Sequence, residues 1–256
     1  MDDGAKERII EVVPDAAALA RRAAELFADA AVAAAAERGV FAMALSGGVT
    51  PRATYELLAK EPLVSRIPWE RVHLYWGDER CVPPDSPQSN YRLARETFVA
   101  QVSIPPEHVV RMRGEDDPEE AARTYELELR SIAAHSGANA VGIPILDLVL
   151  LGIGTNGHTA SLFPHTRALH ENDRMVVAVD VPDVGWRLTM TAPAINSARH
   201  VVFVVAGEEK APVVARVLQG PPDFERLPAQ LIAPRPGRLT WLLDEAAAAR
   251  LRPERG

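Results

Sequence analysis

"LDLVLLGIGTNGHTASLFP" (residues 146–164) runs from an apolar strand into a turn that carries Gly152, Gly154 and Gly157, and its reading decides the fold class. A strand with one wet face alternates polar and apolar residues, whereas LDLVLL is apolar almost throughout, as a strand covered on both faces must be. VFAMAL (40–45), VHLYW (72–76), VVAVD (176–180), HVVFVVAG (200–207) and LTWLL (239–243) share that character. Between them PRATYELLAK, YRLARETFVAQV, PEEAARTYELELRSIAA and EEKAPVVARVL carry helical spacing, and residues 15–38 form a long alanine-rich helix with Asp15 as N-cap and Gly39 as stop. Strands alternating with helices predict an α/β fold: a mostly parallel, Rossmann-like sheet flanked by helices. The expectation is one domain over residues 1–256, with room for a small subdomain around 175–195.

In such sheets ligands bind beyond the carboxyl ends of the strands, so the loops there hold the candidate chemistry. After LDLVLL, the glycines allow a sharp turn and close backbone approach, and His158 is presented to a ligand. TASLF is read as the start of a helix, whose dipole would keep the His158 imidazole neutral and able to take a proton. After VFAMAL, the stretch SGGVTP sets Ser46, Gly47, Gly48 and Thr50 before a helix with Pro51 in its first turn. Such a loop aims N–H groups at one anion, the reading favoured here over an ordinary strand-to-helix turn. It is neither a Walker loop nor a GxGxxG fingerprint, so a single phosphate fits better than a nucleotide.

After VHLYW come Asp78, Glu79 and Arg80, with Asn90 and Arg92 in the same connection; such charges can also be solvated loop residues. Arg187 and Lys210 flank later apolar segments, and each is either a phosphate ligand or a surface charge. Lysine occurs only at positions 6, 60 and 210, which singles out Lys210.

Composition narrows the classes further. With 28 basic and 35 acidic residues the net charge is −7, against a broad nucleic-acid-binding face. Cys81 is the only cysteine, and neither HxxH nor HExxH occurs, so neither a disulfide nor a metal is expected. No apolar run reaches membrane-spanning length, and MDDGAKERIIEVV lacks the order of a signal peptide, so the expectation is a cytoplasmic protein without a membrane partner.

LSGGVTP, WGDERCVP with SNYR, LLGIGTNGHTASLFP, RLTMTAPAIN with VVAGEEKA, and PAQLIAPRPGRLTWLLDEAAA occur in an order that resembles the 6-phosphogluconolactonase family, in the glucosamine-6-phosphate isomerase/deaminase group. The resemblance spans nearly the whole chain. It implies the deaminase/isomerase type of α/β fold and hydrolysis of a phosphorylated sugar lactone, 6-phospho-D-glucono-1,5-lactone, without a cofactor. It further implies that Ser46, Gly47, Gly48, Thr50, Arg187 and Lys210 hold the phosphate, that His158 is the base and that Arg80 is an active-site cation. Asn156 joins this catalytic set but departs from the pattern, in which similar proteins carry aspartate two residues before the histidine. Asp78, Glu79, Asn90, Arg92, Gly154 and Gly157 are further site candidates. Two alternatives remain open: the sister deaminase/isomerase activity, which would call for a carboxylate after the GH pair where this chain reads TASLFP, and a non-catalytic sugar-phosphate sensor. The oligomeric state is open between monomer and weak dimer.

Overall fold

The computed structural model describes residues 8–139, 142–235 and 237–253, with 133–136 described through the backbone alone. Among them, β1 (Arg8–Val13), β2 (Phe41–Leu45), β3 (Val72–Trp76), β5 (Leu148–Leu151), β8 (His200–Val205) and β9 (Arg238–Asp244) form one sheet. Their order is β1-β9-β8-β5-β2-β3, and every neighbouring pair is parallel. Each parallel step needs a crossover, which the helical segments supply. All residues of β2 and β5 are buried whichever way they point, so the centre of the sheet is covered on both faces.

Helix α1 (Ala16–Arg38) starts where Asp15 Oδ1 accepts the Ala18 N–H at 2.7 Å and stops where Gly39 turns left-handed at φ 76°. It buries Leu19, Ala23, Phe27 and Ala31, spaced by four, and the alanines let it lie close to the strands. Against it pack α2 (Val49–Leu58) and α3 (Leu63–Arg66). The remaining helices are α4 (Asn90–Thr97), α5 (Pro118–Ser136), α6 (Ala192–Asn196), α7 (Ala211–Gln219) and α8 (Glu245–Ala248).

One run is placed differently from the simple alternation. VVAVD lies in a second, antiparallel sheet of order β4-β7-β6, formed by β4 (Asp78–Arg80), β6 (Val176–Val181) and β7 (Gly185–Met190). β6 is buried at every position but Asp180 and packs against α5, so its apolarity reflects two covered faces without revealing which sheet it joins. Gly77 is the link between the sheets: its N–H donates to Leu45 O, and its carbonyl accepts from Met190 N. β4 therefore leaves β3 at the carboxyl edge of the parallel sheet, where Asp78 and Arg80 meet the loops after β2 and β5.

Candidate active site

From β2 the chain crosses outward to β3, whereas β5 is followed on the opposite side by β8 and β9. The loops after β2 and β5 therefore part at their carboxyl ends, the switch-point crevice of an open parallel sheet. A cavity of about 370 Å³ opens there, between Ser46–Pro51, Gly152–Gly154 with His158, and the loop after β8 that bears Lys210.

The first of these loops is anchored by Tyr55, whose hydroxyl donates to Ser46 O at 2.8 Å and accepts from Ser46 N at 3.1 Å. The Ser46 hydroxyl is buried and has no partner among the described residues. Gly48, at φ 108°, precedes α2 without a side chain to cap it, leaving the first-turn N–H groups without a side-chain acceptor. Pro51 is the third helical residue, still within that turn. At Gly47 a Cβ would fall 1.7 Å from Asn90 Oδ1, so a larger residue requires the Asn90 amide, held by Asp78, or the loop to shift.

β4 brings the charged candidates together in unequal roles. The buried Asp78 carboxylate accepts Ser161 Oγ at 2.7 Å and Asn90 Nδ2 at 3.2 Å, and burial pushes its pKa up. Glu79 is spent on structure: it accepts the N–H groups of Arg80, Asn90 and Tyr91 and the hydroxyl of Ser89. Arg80 lines the cavity and donates to Gln88 O. Arg187 stands opposite Arg80 in the β4–β7 register, and burial followed by this like charge lowers its pKa. Arg92 turns to Glu96 and to Asp85 O and lines an adjoining cavity instead.

The second loop folds tightly on itself, with Gly154 N donating to His158 O and Gly157 N to Gly154 O, both at 2.9 Å. A Cβ at Gly154 would fall 2.1 Å from His158 Nδ1. Gly157, at φ 87°, packs towards Leu227. Asn156 Oδ1 lies 2.6 Å from His158 Nδ1 and accepts the His158 backbone N–H at 3.2 Å. Because that N–H requires an oxygen opposite it, the amide orientation is set, and the neutral imidazole carries its proton on Nδ1. Nε2 then has the free lone pair. The helix expected at TASLF is absent, since Thr159 and Leu162 pair in a tight turn. The imidazole is nevertheless neutral at pH 7: burial, then Lys210, Arg187 and Arg80, lowers its pKa to about 4.

Residues 14–241 match the family described as glucosamine-6-phosphate isomerases/6-phosphogluconolactonase. The chain belongs to that family. A 6-phosphogluconolactonase of Synechocystis sp. is 47% identical over 219 residues, covering 85% of this chain and 88% of that protein. One from Nostoc sp. is 41% identical over 246 residues, covering 96% and 99%. The solved 6-phosphogluconolactonase of Trypanosoma brucei superposes with a TM-score of 0.84 at 28% identity, covering 97% of this chain and 100% of that one. A monomeric glucosamine-6-phosphate deaminase, with a TM-score of 0.79 at 23% identity, shares the fold; it covers 94% of this chain and 99% of that one.

Of the positions marked by resemblance to the 6-phosphogluconolactonase/isomerase family, Ser46, Gly47, Gly48, Thr50, Arg80, His158 and Lys210 border one cavity, whereas Arg187, opposite Arg80, and Asn156, behind His158, are not in its lining. Sequence reasoning passed over Ala160 and Glu209, which also line it, and Ser161 and Phe163, which hold the histidine loop. The last two stand inside the quoted stretch, but taking it for a helix concealed the turn. Among the described residues, no group of three or more His, Cys, Asp or Glu side chains is arranged to hold a metal. No described helix is long and apolar enough to cross a membrane.

Proposed function

We propose that the protein is a 6-phosphogluconolactonase, opening 6-phospho-D-glucono-1,5-lactone to 6-phosphogluconate in the second step of the oxidative pentose phosphate pathway, in the cytoplasm. The observation that carries the reading is His158, neutral and with Nδ1 engaged by Asn156, at one cavity with the glycine loop and Lys210. The phosphate lies at Ser46–Thr50, where the Ser46 hydroxyl and the N-terminal turn of α2 supply donors and Lys210 and Arg187 supply charge. This end of the substrate fixes the lactone carbonyl near His158. Nε2 removes a proton from water as the water oxygen bonds to the carbonyl carbon, and Arg80 offsets the negative charge on the carbonyl oxygen. The tetrahedral adduct expels the ring oxygen, which receives the proton held on Nε2. Neutral histidine is regenerated.

The deciding experiment follows hydrolysis of the phosphorylated lactone and of unphosphorylated glucono-1,5-lactone, subtracting spontaneous opening from both. The phosphorylated substrate is expected to be strongly preferred. Equal kcat/KM values would remove the phosphate site, and no rate above background would leave a sugar-phosphate sensor.

A further inference from the structure

We infer that Phe163 is a positioning residue for His158, its ring stacked on the imidazole and fixing the plane in which the base meets water. The inference rests on the reading of His158 as the base. The ring centroids are 4.1 Å apart and the planes differ by 19°. A hydrogen bond at Nδ1 fixes one edge of the imidazole but leaves its plane free to tilt, because the terminal torsion of histidine is broad. The phenyl face removes that freedom and closes one side of the ring to solvent. Together the two contacts hold the imidazole from the edge and from the face, leaving the Nε2 edge as the working one.

The backbone between the two rings is built to bring them together. Leu162 N donates to Thr159 O at 2.9 Å, closing a turn in which Ala160 adopts φ 47°. A left-handed alanine is strained, and such a conformation persists only where its surroundings over-determine it. Here they do: Thr159 Oγ1 donates to Gly152 O at 2.8 Å, Ser161 Oγ to Asp78 Oδ2 at 2.7 Å, and Ser161 N to Thr189 Oγ1 at 3.2 Å. Leu162 is fully buried, and Thr166 Oγ1 donates to the Phe163 carbonyl at 2.8 Å. The turn thus doubles the chain back so that a ring five residues downstream covers the histidine. The charged groups that bear on His158 are Lys210, Arg187 and Arg80, all cationic, and burial, to which a ring stacked on the imidazole contributes, acts in the same direction.

The test uses Phe163→Leu, which keeps bulk without a ring face, and Phe163→Tyr, which keeps the face. It reads steady-state kinetics, the pH profile, and the NMR titration of His158 in full-length protein whose fold is checked by circular dichroism. For Phe163→Leu, kcat is expected to fall about tenfold or more with KM held within about threefold. Its His158 midpoint should rise by about one pH unit from the parent's. Phe163→Tyr should restore both. If Phe163→Leu does not fold, Phe163→Met takes its place under the same expectations. A fall in kcat without movement of the titration, movement without a fall, or no rescue by tyrosine overturns the assignment. His158→Asn is measured in parallel: near-normal turnover in that variant sinks the base itself, whereas the NMR midpoint reports the Phe163 contact whatever the chemistry.

Discussion

At Asn156 the chain offers an amide oxygen to His158 Nδ1 and no charge. That oxygen does the orienting work expected of a carboxylate: it selects the tautomer with Nε2 free. It does not, however, stabilise imidazolium as a carboxylate would, and the three cations nearby act with burial to keep the ring neutral down to about pH 4. Replacing Asn156 by aspartate should raise the His158 pKa and move the acidic limb of kcat/KM to higher pH. The variant's base is then stronger once deprotonated. A pH–rate profile with spontaneous hydrolysis subtracted at each pH checks this, and an unmoved limb would mean that residue 156 does not tune the histidine electrostatically. His158→Asn should lower kcat by about 10²–10⁴ with the fold intact.

Between strands and helices the site depends on which backbones lie against one another. Asn90, at the start of α4, occupies the space above Gly47, so Gly47→Ala must displace the Asn90 amide from Asp78 or push the loop from the α4 end. The expected result is a raised KM for the phosphorylated lactone, with a much smaller change for the unphosphorylated one. Lys210→Met and Arg187→Met should likewise raise KM, each lost charged hydrogen bond costing about 1.5–3 kcal/mol; unchanged KM in both would put the phosphate elsewhere. α1 was legible because its cap, stop and buried stripe are all local, and β2, β3, β5, β8 and β9 because double burial imposes apolarity. β1, half-exposed, and β4, three charged residues, have no such signature. The same division runs through the site. Ser46–Thr50 and His158 announce themselves by glycine and position, whereas the Asn90–Gly47 contact and the ring of Phe163 on His158 arise only when distant or reversed chain segments meet.

For the whole molecule, two histidines held neutral contribute an acid-sensitive part of its stability. His158 and His200 both have folded pKa values lowered from 6.5 to about 4, chiefly by burial, and His200 Nε2 sits 2.8 Å from Thr240 Oγ1. Between about pH 6.5 and pH 4 these two sites in the unfolded chain take up protons that the folded one refuses, so their contribution to stability falls as pH drops through that window. Asp78, Glu79 and Asp147, with raised pKa values, act in the opposite sense as they protonate in the fold. Denaturant unfolding of the parent and His200→Asn at several pH values separates the contributions: the variant's stability should depend less steeply on pH, and identical slopes would remove His200 from the account. The order of the parallel sheet has a consequence for how the protein is made. Among the described strands β1 pairs only with β9, from Arg8 beside Leu239 to Val13 beside Asp244, so a strand made early waits for one made much later. That edge therefore cannot close until β9 has been made, and a nascent chain stalled ahead of residue 238 should be cut by protease near β1 while one that includes β9 resists.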